Sequence, residues 1–461
     1  MRPMPSPARR LAAVVVLLLS LAIVAFVGLR AAGIPIGIGQ VASPPAAPSA
    51  KPTASASQDP LTVFARIEGQ VQSLRGLPAA SIGPPEVITR ADLAQRLPAL
   101  LEPPLDSVTL RAMGLPGARD IVALTNKLYI AQVLGYYDFD SRRMVVVSDA
   151  GLTPEARITY AHEYTHALQD AAFDSGAASQ RVKGQHDREL ALLGLEEGDA
   201  SVAMVLWGLA HLSPAEMAGV TATPLPDMSG IPAWMVHLLE FPYVSGSAFV
   251  TQLYASGGWD GVDAAYADLP ASTEQVLHPA KYLAREAPIV VQPLDLLSVL
   301  PAGWTRATDS TMGEEWLETW LEGINVEAGA ASAAAAGWGG DHLTVADATD
   351  GSWALGWRID WDTPLDATEF EAAYMSVNAR APFPTRLVHA SARETVILQA
   401  SSAQVLATVA ALVPPYIDST AEIPSRPSAL ASTWRVASVS ASRAWESGTV
   451  TSSSGRTRQS R

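Results

Sequence analysis

Residues 153–170, TPEARITYAHEYTHALQD, constrain this chain more than any other stretch. Thr153 suits a helix N-cap, Pro154 the first helical position and Glu155 the positive end of the helix dipole. The spacing therefore predicts a helix that carries His162 and His166 on one face, one turn apart. Two imidazoles converging this way suit a metal such as zinc, which binds neutral ring nitrogens. Glu163 follows the first histidine and is placed to take a proton from a water activated there. The plainer alternative is a solvated helix face that carries polar residues.

Composition narrows the remaining ligands. The sequence holds no cysteine, so disulfides, thiolate ligands and a cysteine nucleophile are excluded, and any metal must rest on His, Asp or Glu. Charged residues make up 17% and hydrophobic residues 48% of the 461 residues, which suits a well-buried core. The formal net charge of −15 argues against nucleic acid as a partner, because phosphate contacts need a basic patch.

A catalytic zinc needs a third protein ligand and an open position. No HxxGxxH follows His166. The next acidic interruption of an apolar helix pattern is Leu195-Glu196-Glu197-Gly198-Asp199-Ala200-Ser201, in a second helix expected from about Asp187 to Trp207. A carboxylate buried there calls for a cation. Glu197 is favoured as the third ligand, since Gly198, Ala200 and Ser201 beside it would let two helices approach closely. Glu196 is the rival, and exposure of both is the alternative to either.

Residues 60–135 mix helical and strand-like pieces, with helical spacing over Val63–Leu74 and Asp120–Val133. PPEVITRADLAQRL reads as strand, turn and helix, and Tyr136–Val147 as a β-hairpin. A region from Phe241 to Leu283 holds two helical pieces with a Gly-Gly break. From Gly337 onward the order is ββ-α-ββ-α, preceded by the alanine-rich helix AGAASAAAAG. The fold class expected is α+β: a mainly helical catalytic region with a small edge-strand sheet, then a small α+β domain. The divisions expected are 1–30, 31–59, 60–325, 326–416 and a disordered Ser/Arg-rich tail, 417–461.

The first of these divisions contains Leu11–Leu29, an uncharged run of about 19 residues behind Arg2, Arg9 and Arg10. It reads as an uncleaved signal anchor more than a cleaved signal peptide, with residues 31–59 as a flexible Pro/Ala/Ser tether. This predicts a single-pass membrane protein whose bulk is extracytoplasmic.

These motifs together resemble the gluzincin group of zinc metallopeptidases. The chain is more closely similar to uncharacterised membrane-anchored bacterial members of that group. In these, YYD, VVSDAGL, ITYAHEYTHALQD, EGDA, FPYVxGxxFV, GGW and STEQVLHPxKY occur in this order, over roughly residues 60–400. The resemblance implies His162, His166 and Glu197 as zinc ligands, Glu163 as general base and a peptide or protein as substrate. One position departs from the thermolysin-like pattern: Ser201 stands four residues after Glu197, where an Asp often orients a zinc histidine. Asp170 and Asp199 are the substitutes considered.

Hydrolysis also needs a donor to the oxyanion. His278, in STEQVLHPAKY, is the first choice, with Tyr243, Tyr254 and Tyr282 as alternatives, or His278 simply stabilises a turn. His186 and His211 are expected at the surface, His237 in the core, and His342 and His389 away from the zinc. Tryptophans 316, 320, 338, 353 and 357 have core spacing. Gly337–Gly340 lacks the context of a phosphate loop, and no GxSxG is present. Two further readings stay open: a non-catalytic envelope protein with a structural zinc or a partner-binding role, and hydrolysis of a non-peptide amide or ester. The sequence does not specify oligomeric state.

Overall fold

The computed structural model describes residues 59–414 apart from 98–100, 102 and 222–226, together with the backbone of residues 11–15. The fold is α+β: a helical region with a small sheet, joined to an antiparallel sheet near the C-terminus.

The apolar N-terminal run departs from expectation at its start. Leu11–Val15 forms a strand, β1, antiparallel to Val133–Asp138, with Val14 opposite Gly135. No helix among the described residues is long and apolar enough to cross a membrane. The transmembrane helix expected from Leu11, and the single-pass placement built on it, are corrected accordingly. Hydropathy does not choose a backbone: an apolar run containing consecutive valines also suits a strand where a sheet edge offers unpaired backbone groups. Residues 16–29 of that run, the tether up to residue 58 and the tail from 415 lie outside the described residues.

Helix α1 (Pro60–Arg75) has Pro at its first turn and stops at Gly76, whose φ of 77° supplies a left-handed C-cap. Strand β2 (Glu86–Ile88) leads through a Thr89–Asp92 capping box into α2 (Arg90–Arg96). Helix α3 (Ile121–Gln132) runs directly into β3 (Val133–Asp138), which turns into β4 (Arg143–Val147). The sheet order is β1-β3-β4-β2, with β2 parallel to β4 and the other pairs antiparallel.

From β4 the chain enters α4 (Pro154–Phe173), whose N-terminus is capped by Thr153 Oγ1 accepting from the Ala156 amide at 3.2 Å. Strand β3 lies against α4 at Gly135, where a Cβ would fall 2.7 Å from Thr159 Cγ2. Helix α5 (His186–His211) crosses α4, and α6 (Ala233–Ala267) packs along α5 and breaks at Gly258. The glycines of α5 serve α6: a Cβ on Gly198 would lie 2.2 Å from Gly246 O, and one on Gly246 equally close to Gly194 O. The close approach that Gly198 permits is thus between α5 and α6.

The second sheet, order β5-β6-β7-β9-β8, begins before α7 (Gly313–Gly323) and resumes after the alanine-rich helix Ala328–Ala335. Its strands are β5 (Trp304–Ser310), β6 (Trp338–Ala348), β7 (Trp353–Trp361), β8 (Thr385–Ser391) and β9 (Glu394–Ala400). Helix α8 (Pro364–Asn378) and α9 (Ala403–Ala410) complete the expected ββ-α-ββ-α order. Strand β5 precedes the boundary expected at 326. Asp341 of β6 accepts from the Met312 and Gly313 amides at the start of α7 and from the indoles of Trp338 and Trp357. One core joins α1, α4, α5 and α6; a second runs from α6 through α7 to this sheet, with Trp234 on α6 beside Trp316 on α7. The described residues from 59 to 414 accordingly belong to one compact unit.

Candidate metal centre

Helices α4 and α5 bring three ligand atoms together. His162 Nε2 and His166 Nε2 are 3.0 Å apart, and Glu197 Oε2 lies 3.1 Å from the first and 3.4 Å from the second. All three side chains are 2% exposed or less. Tetrahedral zinc with nitrogen ligands at about 2.0–2.1 Å spaces neighbouring ligand atoms by roughly 3.3 Å, so the donor set fits that ion.

The tautomer of His166 follows from its neighbours. Gln169 Nε2 donates to Asp199 Oδ2 and to the Glu196 carbonyl, both at 3.0 Å. That turns Gln169 Oε1 toward His166 Nδ1, 2.8 Å away, and an oxygen there can only accept. A ring proton therefore sits on Nδ1, which leaves Nε2, directed at Glu197 and His162, as the atom that can ligate a cation.

Burial pulls the His162 imidazole down to about 4. At His166 burial acts in the same sense but is outweighed by the Glu197 carboxylate, and the group is raised. Glu197 is held low, burial being outweighed by His166. A carboxylate that stays ionised between two imidazoles is a ready cation ligand. Glu163 is fully buried and close enough to act electrostatically on both His166 and Tyr243.

Two phenols line the centre. Tyr243, on α6, hydrogen-bonds Glu197 and stacks on His162, with centroids 6.4 Å apart. Tyr129, on α3, is pushed up to about 12 by burial and the Glu197 charge. Both therefore stay protonated donors. They border a cavity of about 250 Å³ that touches Glu197 and is otherwise walled mainly by Leu128, Leu190, Met235 and Leu239. A second cavity, about 240 Å³, touches His166 and Glu197 and is otherwise lined by residues that include Phe139, Ser175, Ser179, Glu189 and Glu196.

The expected ligands His162, His166 and Glu197 are thus brought together, with Glu163 beside them. Glu196, the rival ligand, faces the second cavity instead. His278 lies at the end of the short helix Thr273–Leu277, with Nε2 2.9 Å from Glu314 Oε1, and lines neither cavity. Among the alternatives, Tyr254 packs on Trp259 and Tyr282 donates to the Asp268 carbonyl, leaving Tyr243 at the centre. Asp170 accepts from Tyr137. Asp199 is linked to His166 only through Gln169. Sequence reasoning missed Gln169 and Tyr129. Gln169 carried a signal, since it follows His166 by three residues on the same helix face; Tyr129 carried none.

Residues 300–410 match the model of one family, described as a domain of unknown function (DUF8575). No curated protein and no solved structure matches the chain.

Proposed function

We propose that this chain is a zinc-dependent peptidase of gluzincin type. The observation that carries the reading is the convergence of His162, His166 and Glu197 within bonding range of one cation, with Glu163 on the next residue of the same helix. Zinc held by these three residues supplies Lewis acidity, polarising a carbonyl and lowering the pKa of water toward about 7. Glu163 accepts the proton of the attacking water and passes it to the departing amine. Tyr243, a protonated phenol beside Glu197, donates to the oxyanion that forms as the carbonyl becomes tetrahedral. The apolar cavity beside Glu197 suits a large apolar side chain next to the scissile bond.

The test is zinc content and hydrolysis of a mixed peptide library by the wild type and by Glu163→Gln. About one zinc per chain in both, with hydrolysis in the wild type alone, supports the proposal. Equal hydrolysis in the variant would falsify the role of Glu163.

One observation favours a second reading. His162, His166 and Glu197 are almost wholly buried, as expected of a closed structural zinc in a non-catalytic, partner-binding protein. Full zinc loading without hydrolysis in either protein would select that reading. The two cavities that touch Glu197 favour catalysis.

A further inference from the structure

Arg75 is an unusual residue to find wholly buried. It ends α1, far in sequence from the metal centre, and its side chain is 0% exposed. Nε and Nη2 grip Asp199 at 2.7 and 3.0 Å, Nη2 also meets Asp263 at 2.6 Å, and the guanidinium lies 4.4 Å over the Trp259 ring. Asp199 is equally buried and accepts from Tyr266 at 2.9 Å as well as from Gln169 at 3.0 Å. A buried ion pair of this kind often stabilises no more than an apolar replacement would, so stability alone does not account for it.

What the pair does fix is an amide. Gln169 has two nearly isosteric orientations. With Nε2 toward Asp199, Oε1 accepts from His166 Nδ1. With the amide reversed, Nε2 would face Nδ1 and the ring proton would move to Nε2, the atom directed at Glu197. That tautomer cannot ligate through Nε2. The Asp199 carboxylate and the Glu196 carbonyl on the far side of Gln169 accept only, so they exclude the reversed amide, the carboxylate more strongly because it is charged.

We propose that Arg75, Asp199 and Gln169 form a positioning relay that locks the metal-binding tautomer of His166. The proposal rests on the zinc-site reading above. The relay takes the place of the direct carboxylate–histidine contact that Ser201 does not supply. Gln169 contributes a neutral acceptor to the imidazole, and Arg75 balances the anion that orients Gln169. The centre thereby gains a fixed ligand without gaining another adjacent negative charge, which preserves the Lewis acidity of a bound cation.

The experiment measures zinc retention against a competing chelator, together with the visible spectrum of the Co²⁺-loaded full chain. Three proteins are compared with the wild type: Gln169→Leu, the apolar pair Arg75→Met with Asp199→Leu, and the three changes combined. The apolar pair removes the charged half of the lock, leaving the Glu196 carbonyl, and the one charged partner it strands, Asp263, is 35% exposed and can meet solvent. Gln169→Leu leaves the Arg75–Asp199 pair in place and serves where the apolar pair does not fold. Zinc affinity is expected to fall about 10–100-fold in Gln169→Leu. A smaller fall in the same direction is expected in the apolar pair, with the combination no weaker than Gln169→Leu alone and an altered Co²⁺ spectrum throughout. Wild-type affinity and spectrum in folded Gln169→Leu, or in the folded apolar pair, would overturn the relay while leaving the zinc site intact. A wild type that holds no zinc would overturn both.

Discussion

His162 Nε2 and His166 Nε2 lie 3.0 Å apart, almost wholly buried, with the Glu197 carboxylate against both. Three ligand atoms at this spacing are held together best by a shared cation, and removing one should release it. Glu197→Ala is expected to lose tight zinc binding, whereas Glu196→Ala, whose side chain faces the second cavity, should keep about one zinc per chain. Metal analysis after dialysis against a weak chelator checks this. Equal loss in both variants would contradict the assignment of Glu197.

Tyr243 and His278 divide in the same way. Tyr243→Phe removes the donor next to Glu197 and is expected to lower kcat by about 10²-fold while zinc content stays unchanged. His278→Ala breaks only the contact with Glu314 and should leave kcat within a few-fold of wild type. Steady-state kinetics on one peptide substrate separates the two. A large loss in His278→Ala would return the oxyanion role to that residue.

Gly198 touches the α6 backbone so closely that any side chain must force the helices apart. A Cβ there would lie 2.2 Å from Gly246 O. Gly198→Ala is expected to cost about 1–3 kcal/mol and to weaken zinc binding, since Glu197 adjoins the displaced segment. Gly257→Ala, where an added Cβ meets nothing within 4 Å, is the control. Urea unfolding of both variants reads the difference.

Buried acids between α5, α6 and α7 give stability a pH dependence. Burial raises Glu315 to about 8 and Asp187 to about 7, from ordinary values of 4.5 and 3.8. His237 faces Glu315 at 3.4 Å and is itself raised, burial being outweighed by that carboxylate. For each group the folded value exceeds the unfolded one. Their stabilising contribution is present at acidic pH and is lost as pH rises through the folded values, between about 4 and 8. The urea midpoint of the metal-free protein should fall between pH 5 and 8.5, and less so in Glu315→Gln. A midpoint that rises over this range would refute the assignment.

Much of the site was legible because it is local. The Thr153 cap, the one-turn spacing of His162 and His166 and the following Glu163 all belong to a single helix, whose geometry follows from its own sequence. The ββ-α-ββ-α order was likewise set by period and turn residues. The N-terminal run was misread because hydropathy records how apolar a segment is, and not whether it pairs as a strand with β3.

The sequence by itself determined the two histidines, the glutamate between them, the exclusion of thiolate ligands and an α+β chain. Only the tertiary structure decided that Glu197 meets the histidines, that Tyr243 and not His278 stands beside them, and that Arg75 reaches His166 through Asp199 and Gln169. The physical reason is distance along the chain. A helix fixes neighbours within one turn, but contacts such as Arg75 with Asp199 depend on how α1, α4, α5 and α6 pack, and no local pattern records that packing.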